Sequence, residues 1–339
     1  MTCIKLPASS TASPVNAGNY PFPQNFPSIH FPSTSLRRWG RMALFSRRLN
    51  TIMKSELSDL LDLLDLEQIE VNMFRGTSPS EGWQRVFGGQ VIGQALVAAS
   101  RTVEDVTRAA HSLHGYFLRP GDTTIPILYT VDRIRDGKSF TTRRVVAVQK
   151  GRPIFSMSAS FQVTEEGLEH QAEMPDVPPP EECMNSQDMR AQYLDDIPEE
   201  FKNRMTQAQP IEMRFTEPFN EFKPGKMAPT QSVWIKTADT MPTDIRVNQC
   251  LLAYASDMTL IDTAARPHGI GWTEGNFQVA SLDHAMWFHR PFMVDEWLLY
   301  AQDSPFSGGA RGLARGAFYT RSGELIASVA QEGLMRLHE

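Results

Sequence analysis

Apolar positions along the chain fall into a regular pattern only from Met53 onward. Leu57, Leu60, Leu61, Leu63, Leu64 and Leu66 recur at helical spacing with acidic residues between them, which predicts a short amphipathic helix. The run Phe87-Gly88-Gly89-Gln90-Val91-Ile92-Gly93-Gln94-Ala95-Leu96-Val97-Ala98-Ala99 is small or apolar almost throughout. It predicts a helix buried nearly all round, entered through two glycines whose missing side chains let a sheet or a ligand come close. Alternating stretches then predict strands from His111 to Leu118, Thr124 to Arg135, Phe140 to Gln149 and Pro153 to Val163. Arg119-Pro120-Gly121-Asp122, Asp136-Gly137 and Lys150-Gly151 lie between them and supply hairpin turn chemistry. One long helix followed by an antiparallel meander implies an α+β domain in which a sheet wraps a single helix.

The second half repeats the first. Tyr116-Phe117-Leu118-Arg119-Pro120 returns as Trp287-Phe288-His289-Arg290-Pro291, and Lys150-Gly151-Arg152-Pro153-Ile154 as Ser322-Gly323-Glu324-Leu325-Ile326. Upstream, Ala98-Ala99-Ser100 on the first helix matches Tyr254-Ala255-Ser256 on a second helix predicted from Val247 to about Ile261. Three matches in one order at near-equal spacing indicate two copies of one domain fused in a single chain. Further strands are expected from Phe277 to His289 and from Leu325 to Met335.

Residues 1–52 are different: Pro14, Pro21, Pro23, Pro27 and Pro32 interleave with Ser, Thr and Asn, with no helical or strand period. Six basic residues (Lys5, Arg37, Arg38, Arg41, Arg47, Arg48) occur there with no Asp or Glu. Three readings stay open: a disordered leader, an organellar transit peptide, or a mis-annotated start with Met53 as the natural first residue. Residues 165–209 are acidic and proline-rich, as in Met174-Pro175-Asp176-Val177-Pro178-Pro179-Pro180-Glu181-Glu182, and are expected to be a linker. The expected organisation is thus a leader (1–52), an N-terminal domain (53–164), a linker (165–209) and a C-terminal domain (210–339) that carries the chemistry.

The net charge is -6, and since the leader is basic the rest of the chain is more acidic still. Broad electrostatic binding of nucleic acid is therefore not expected. No apolar run approaches the ~18 residues of a spanning helix, so no membrane partner is expected either. The three cysteines, Cys3, Cys183 and Cys250, lie far apart, which fits neither a disulfide framework nor a metal knuckle and points to a reducing compartment.

Several of these segments together resemble the acyl-CoA thioesterase II family. They are Phe87-Gly88-Gly89-Gln90-Val91, His111-Ser112-Leu113-His114 with Phe117-Leu118-Arg119-Pro120-Gly121-Asp122, Ser281-Leu282-Asp283-His284-Ala285-Met286-Trp287-Phe288-His289-Arg290-Pro291, and Gln331-Glu332-Gly333. The resemblance covers about residues 56–338. It implies a double hotdog fold, with two tandem repeats each wrapping a central helix. It also implies hydrolysis of fatty acyl-CoA to free acid and CoA, with no metal and no organic cofactor. The family's acid, hydroxyl and amide map onto Asp257, Ser281 and Gln331, where many relatives carry Thr at the hydroxyl position.

Each assignment has a physical basis. A carboxylate at Asp257, beside the small and apolar run Leu251 to Ser256, can hold and polarise a water molecule, and burial would strengthen it as a base. Strand alternation puts Ser281 and Asp283 on one face; Ser281 has no Gly-x-Ser-x-Gly elbow, so it orients water rather than attacking. Gln331 shares a face with Ala327, Val329 and Gly333, and its amide both donates and accepts. His111, Gly88 and Gly89 are secondary candidates, the glycines as donors of backbone N–H groups to a carbonyl or phosphate oxygen. His284 and His289 read as structural. Arg119, Arg143, Arg144, Arg290, Arg311 and Arg315 are candidates for the CoA phosphates, and Met258 and Phe277 for the acyl pocket.

The rival readings are a hotdog enoyl-CoA hydratase that recruits His111, and a non-catalytic acyl-CoA-binding protein. A homodimer or homotetramer is expected. The chain ends Arg336-Leu337-His338-Glu339 rather than in a Ser-Lys-Leu-type address, so the cytoplasm is expected, with the mitochondrion as the alternative if residues 1–52 are a transit peptide.

Overall fold

The structure, a computed structural model, describes residues 55–79, 85–271 and 276–338; the leader expected at 1–52 lies outside them. Helix α1 (Glu56–Leu64) starts at Ser55, whose side chain accepts the Ser58 amide, and buries Leu57, Leu60 and Leu64. After the short strands β1 (Glu67–Glu70) and β2 (Met73–Gly76) comes the central helix α2 (Gly88–Arg101), buried on nearly every side as its composition requires. Around it run β3 (Ala109–Phe117), β4 (Ile127–Asp136), β5 (Phe140–Gln149) and β6 (Arg152–Gln162). Strand β4 starts later than expected because the Asp122 carboxylate accepts the Thr124 amide and hydroxyl at 3.0 and 2.6 Å, which folds residues 122–124 into a turn. The β5–β6 hairpin closes at Lys150 and Gly151 with φ of 49° and 70°, the left-handed pair that a tight hairpin demands.

The stretch expected as a linker runs without helix or strand to Pro179. It then carries β7 (Met184–Asn185), α3 (Ser186–Ala191) and α4 (Glu199–Thr206), with Met189 buried and β7 paired to the next strand. The second copy follows with β8 (Ile211–Phe215), β9 (Thr230–Thr237), α5 (Ile245–Ala255), α6 (Leu260–Ala265), β10 (Phe277–Ser281), β11 (Asp283–Phe288), β12 (Leu298–Gly308), β13 (Arg311–Thr320) and β14 (Leu325–Leu337).

Two expected elements are interrupted. The helix expected from Val247 to Ile261 starts at an Asp244 cap and stops at Ser256, where the Ser256 hydroxyl turns back to the Ala253 carbonyl. Asp257 therefore lies between α5 and α6 rather than on a helix. The strand expected from Phe277 to His289 breaks at Leu282, because the Asp283 carboxylate takes the Glu332 amide at 2.7 Å and shifts the register along β14. Ser281 and Asp283 thus turn to different partners and do not share a face.

All strands of the described residues join one 14-stranded sheet, in which the first copy runs β1-β2-β4-β5-β6-β3 and continues through β11-β14-β13-β12-β9-β8-β7, with β10 on β14. At the junction β3 and β11 are antiparallel, with His114 opposite Ala285, Tyr116 opposite Asp283 and Ser112 opposite Trp287. Tyr116 and Trp287 are equivalent repeat positions, so this register is that of a local two-fold axis through His114 and Ala285. Each half wraps its own helix, and the two helices meet inside one continuous core. This is the expected double hotdog architecture of the α+β class. No helix among the described residues is long and apolar enough to cross a membrane.

Because Leu113 and Met286 face each other at the junction with no exposed surface, Leu113→Ala is expected to cost about 2–5 kcal/mol. Amide hydrogen exchange should quicken in β5 and β13 together, since one core unites the copies. Loss confined to β5 would show that the copies unfold separately.

Candidate active site

The first turn of α2 lacks a local cap: Phe87 precedes it and offers no side-chain acceptor. The acceptor comes from the other copy. Asp257, 8% exposed, takes a backbone hydrogen bond from Gly89, and the positive end of the helix favours its negative charge. Two further donors reach the same carboxylate at Oδ1: the Gln331 amide at 2.6 Å and the Ser281 hydroxyl at 3.3 Å. Asp257, Ser281 and Gln331 are therefore brought together, with Gly88 and Gly89 beside them. Burial raises the Asp257 pKa to about 6, against the opposing pull of Gln331, Ser281 and Gly89. Gln331 is wholly buried; the carboxylate dictates that its nitrogen faces Asp257, and its Oε1 has no partner among the described residues.

Behind Asp257 lies a supporting layer. Ser256 Oγ and His284 Nε2 are 2.8 Å apart, and the Tyr300 hydroxyl donates to the Ser256 carbonyl at 2.8 Å. His284 is fully buried, which pushes its pKa to about 3 and keeps the ring neutral. Tyr300 gave no motif signal in the sequence. Its equivalent in the first copy, Tyr129, performs a parallel task by donating to Gln94 at 2.7 Å.

A cavity of about 310 Å³ opens beside the cluster and shares Gly88 and Ser281 with it. Its walls are mostly apolar, including Val86, Val91, Phe117, Ile154, Phe155 and Val279, with Arg85 and Arg119 also in the lining. Met258 and Phe277 are not among the residues that line it. His111 stands apart from the cluster: its Nε2 is 2.8 Å from Ser160 Oγ and its ring meets Phe140 edge-on. Among the described residues no group of three or more His, Cys, Asp or Glu is placed to hold a metal ion.

The first copy does not duplicate this chemistry. By the repeat alignment Arg101 stands where Asp257 stands, and it is held by Asp65 and the Leu66 carbonyl. Ala110, opposite Phe161, matches Ser281 opposite Gly333, which sets Ala159 in the place of Gln331. One polar cluster of this type therefore exists per chain among the described residues.

Models of two families match: "Acyl-CoA thioesterase N-terminal domain" over residues 78–162 and "Acyl-CoA thioesterase" over residues 201–334. Acyl-CoA thioesterase 2 of Haemophilus influenzae is 42% identical over 287 residues, covering 85% of this chain and 100% of that protein. The chain belongs to the acyl-CoA thioesterase II family. Human acyl-coenzyme A thioesterase 8 is 41% identical over 281 residues, covering 80% of this chain and 87% of that one. Among solved structures, the acyl-CoA thioesterase II TesB2 of Mycobacterium marinum superposes with a TM-score of 0.65 at 45% identity, covering 81% of this chain and 97% of that chain. A hot dog fold protein of Alicyclobacillus acidocaldarius, 17% identical, shares the fold with a TM-score of 0.65.

The two glycines of this family member separate experimentally. A Cβ at position 88 would lie 2.5 Å from Asp257 Oδ2, so Gly88→Ala displaces the carboxylate and is expected to lower kcat about 10²-fold. A Cβ at position 89 would press into the Tyr254 carbonyl oxygen on α5, so Gly89→Ala forces two helices apart and is expected to cost about 1–3 kcal/mol in thermal or urea unfolding. Equal effects of both variants on stability and on turnover would contradict this division.

Proposed function

We propose that the chain hydrolyses acyl-CoA thioesters to free fatty acid and CoA, by direct attack of a water molecule held jointly by Asp257, Ser281 and Gln331. The single observation that carries this reading is the convergence of hydroxyl and amide donors on one buried carboxylate beside an apolar cavity. Both side-chain donors sit on Oδ1 of Asp257, so Oδ2, on the Gly88 side, carries neither of them and can receive a proton. The water gives one hydrogen to Asp257 and the other to Gln331 Oε1, which has no partner among the described residues, so a lone pair points at the thioester carbonyl. Ser281 acts by holding the Asp257 carboxylate in place.

Attack forms the new C–O bond and a tetrahedral oxyanion. Collapse breaks the C–S bond, and the proton stored on Asp257 passes to the departing thiolate, restoring the carboxylate. A base with a pKa of about 6 suits this work near neutrality, being ionised yet still basic enough to take the proton. The hydratase alternative needs a histidine paired with the acid. His111 is occupied by Ser160 and His284 by Ser256, so no geometric observation favours it.

Asp257→Asn is expected to lower the rate of free-thiol release from acyl-CoA by about 10²–10⁴-fold. For the wild type, kcat/KM should fall as pH drops through about 6, where the carboxylate takes up its proton, and should level off above it. Unchanged thiol release by Asp257→Asn would overturn the mechanism. The same proton links to folding: burial raises the folded pKa above 3.8, so the stability held by the neutral acid at low pH is lost as pH rises through about 6.

A further inference from the structure

We propose that Arg119, with Arg85 near it, receives the phosphate groups of the CoA moiety, and that the segment after the first copy closes the equivalent place in the second. This inference rests on the thioesterase reading above. CoA carries its phosphates beyond the pantetheine arm from its thiol, so a substrate whose thioester sits at Asp257 lays its anionic groups farther along its path, and the cavity that opens beside Ser281 offers that path. The cavity lining holds two cations, Arg85 and Arg119, and no carboxylate. Arg119 donates from Nη1 to the Pro153 carbonyl at 2.7 Å, which anchors the guanidinium by one nitrogen and leaves its other donors available. Neither arginine has a carboxylate partner among the described residues.

The other candidate arginines are committed or lie outside the cavity. Arg143 is buried, bonded to Asp136 and Thr102, and serves the end of α2. Arg311 pairs with Glu332, and Arg315 pairs with Asp303. Arg144 is exposed on β5, away from the lining.

Comparison of the two copies supports the assignment. Arg290 is the repeat equivalent of Arg119 and makes the equivalent anchor, donating from Nη1 to the Leu325 carbonyl at 3.1 Å. There the chain itself has supplied the acceptors. Gln171 Oε1 accepts from Arg290 at 2.9 Å, Glu169 accepts at 3.4 Å, and the Gln171 amide donates to the Gly323 carbonyl at 2.8 Å, fixing this segment in position. A carboxylate and an amide oxygen thus stand where a phosphate would stand beside Arg119. The same anchored guanidinium is satisfied internally at Arg290 of the second copy and left open at Arg119 of the first, which lines the cavity beside the acid cluster.

The test compares acyl-CoA with the same acyl group on N-acetylcysteamine, a thioester that has no phosphate. Arg119→Ala is expected to raise KM for acyl-CoA about ten-fold with kcat little changed, and to leave both constants for the short thioester alone. Arg119→Lys should restore part of the loss, Arg85→Ala should give a smaller rise in KM, and Arg290→Ala should alter neither substrate. The inference is overturned if Arg119→Ala leaves KM for acyl-CoA unchanged, or if it impairs both thioesters in equal proportion, which a merely structural arginine would do. Should Arg119→Ala not fold, Arg85→Ala and Arg119→Lys decide by the same comparison of substrates. Wild-type protein that hydrolyses neither thioester would instead overturn the thioesterase reading itself.

Discussion

The bond between the Gly89 amide and the Asp257 carboxylate is the constraint from which the rest of the site follows. A helix as apolar as α2 has nothing of its own to satisfy its first turn, and a carboxylate buried between two copies of a domain has few ways to remain tolerable. Each solves the other's difficulty. The solution requires close approach, and so it requires Gly88 and Gly89, since a side chain at either position would strike Asp257 or the α5 backbone. Ser281 and Gln331 complete the satisfaction of the acid while burial keeps it basic. The interaction that stabilises the helix end also offsets part of the cost of burying the carboxylate.

The β3–β11 junction sets that distance. Because the sheet continues without interruption from one copy into the other, the register His114 opposite Ala285 fixes where the two wrapped helices cross. A slip of one residue there would turn every inward side chain outward and separate α2 from the α5–α6 connection. Leu113 and Met286, both without exposed surface, hold this register from the inner face.

The sheet was largely legible in the sequence. Strand β5 matches the expected Phe140 to Gln149 because turn residues bound it on both sides and burial alternates along it. The repeat was legible for the same reason, since its motifs sit at turns whose geometry admits few residues. What was not legible depended on single side chains competing with the backbone: Ser256 ending α5, Asp283 breaking the strand after Ser281, and Asp122 delaying β4. Each is a local hydrogen bond that an apolar period does not register. Asp257, Ser281 and Gln331 were reached through the family resemblance, whereas their support by Tyr300 is a long-range contact with no motif behind it. Arg143, a reasonable phosphate ligand by charge, is withdrawn from solvent by a fold that needs its five donors inside.

Asp257 and Arg101 occupy matching places in the two copies and carry opposite charges. Two identical subunits meeting across the same axis would have to present either two acids or two guanidiniums there, never one of each. Joining the copies covalently removes that obligation. One half is then free to hold a buried carboxylate, while the other turns the helix end that satisfies it toward the same cavity.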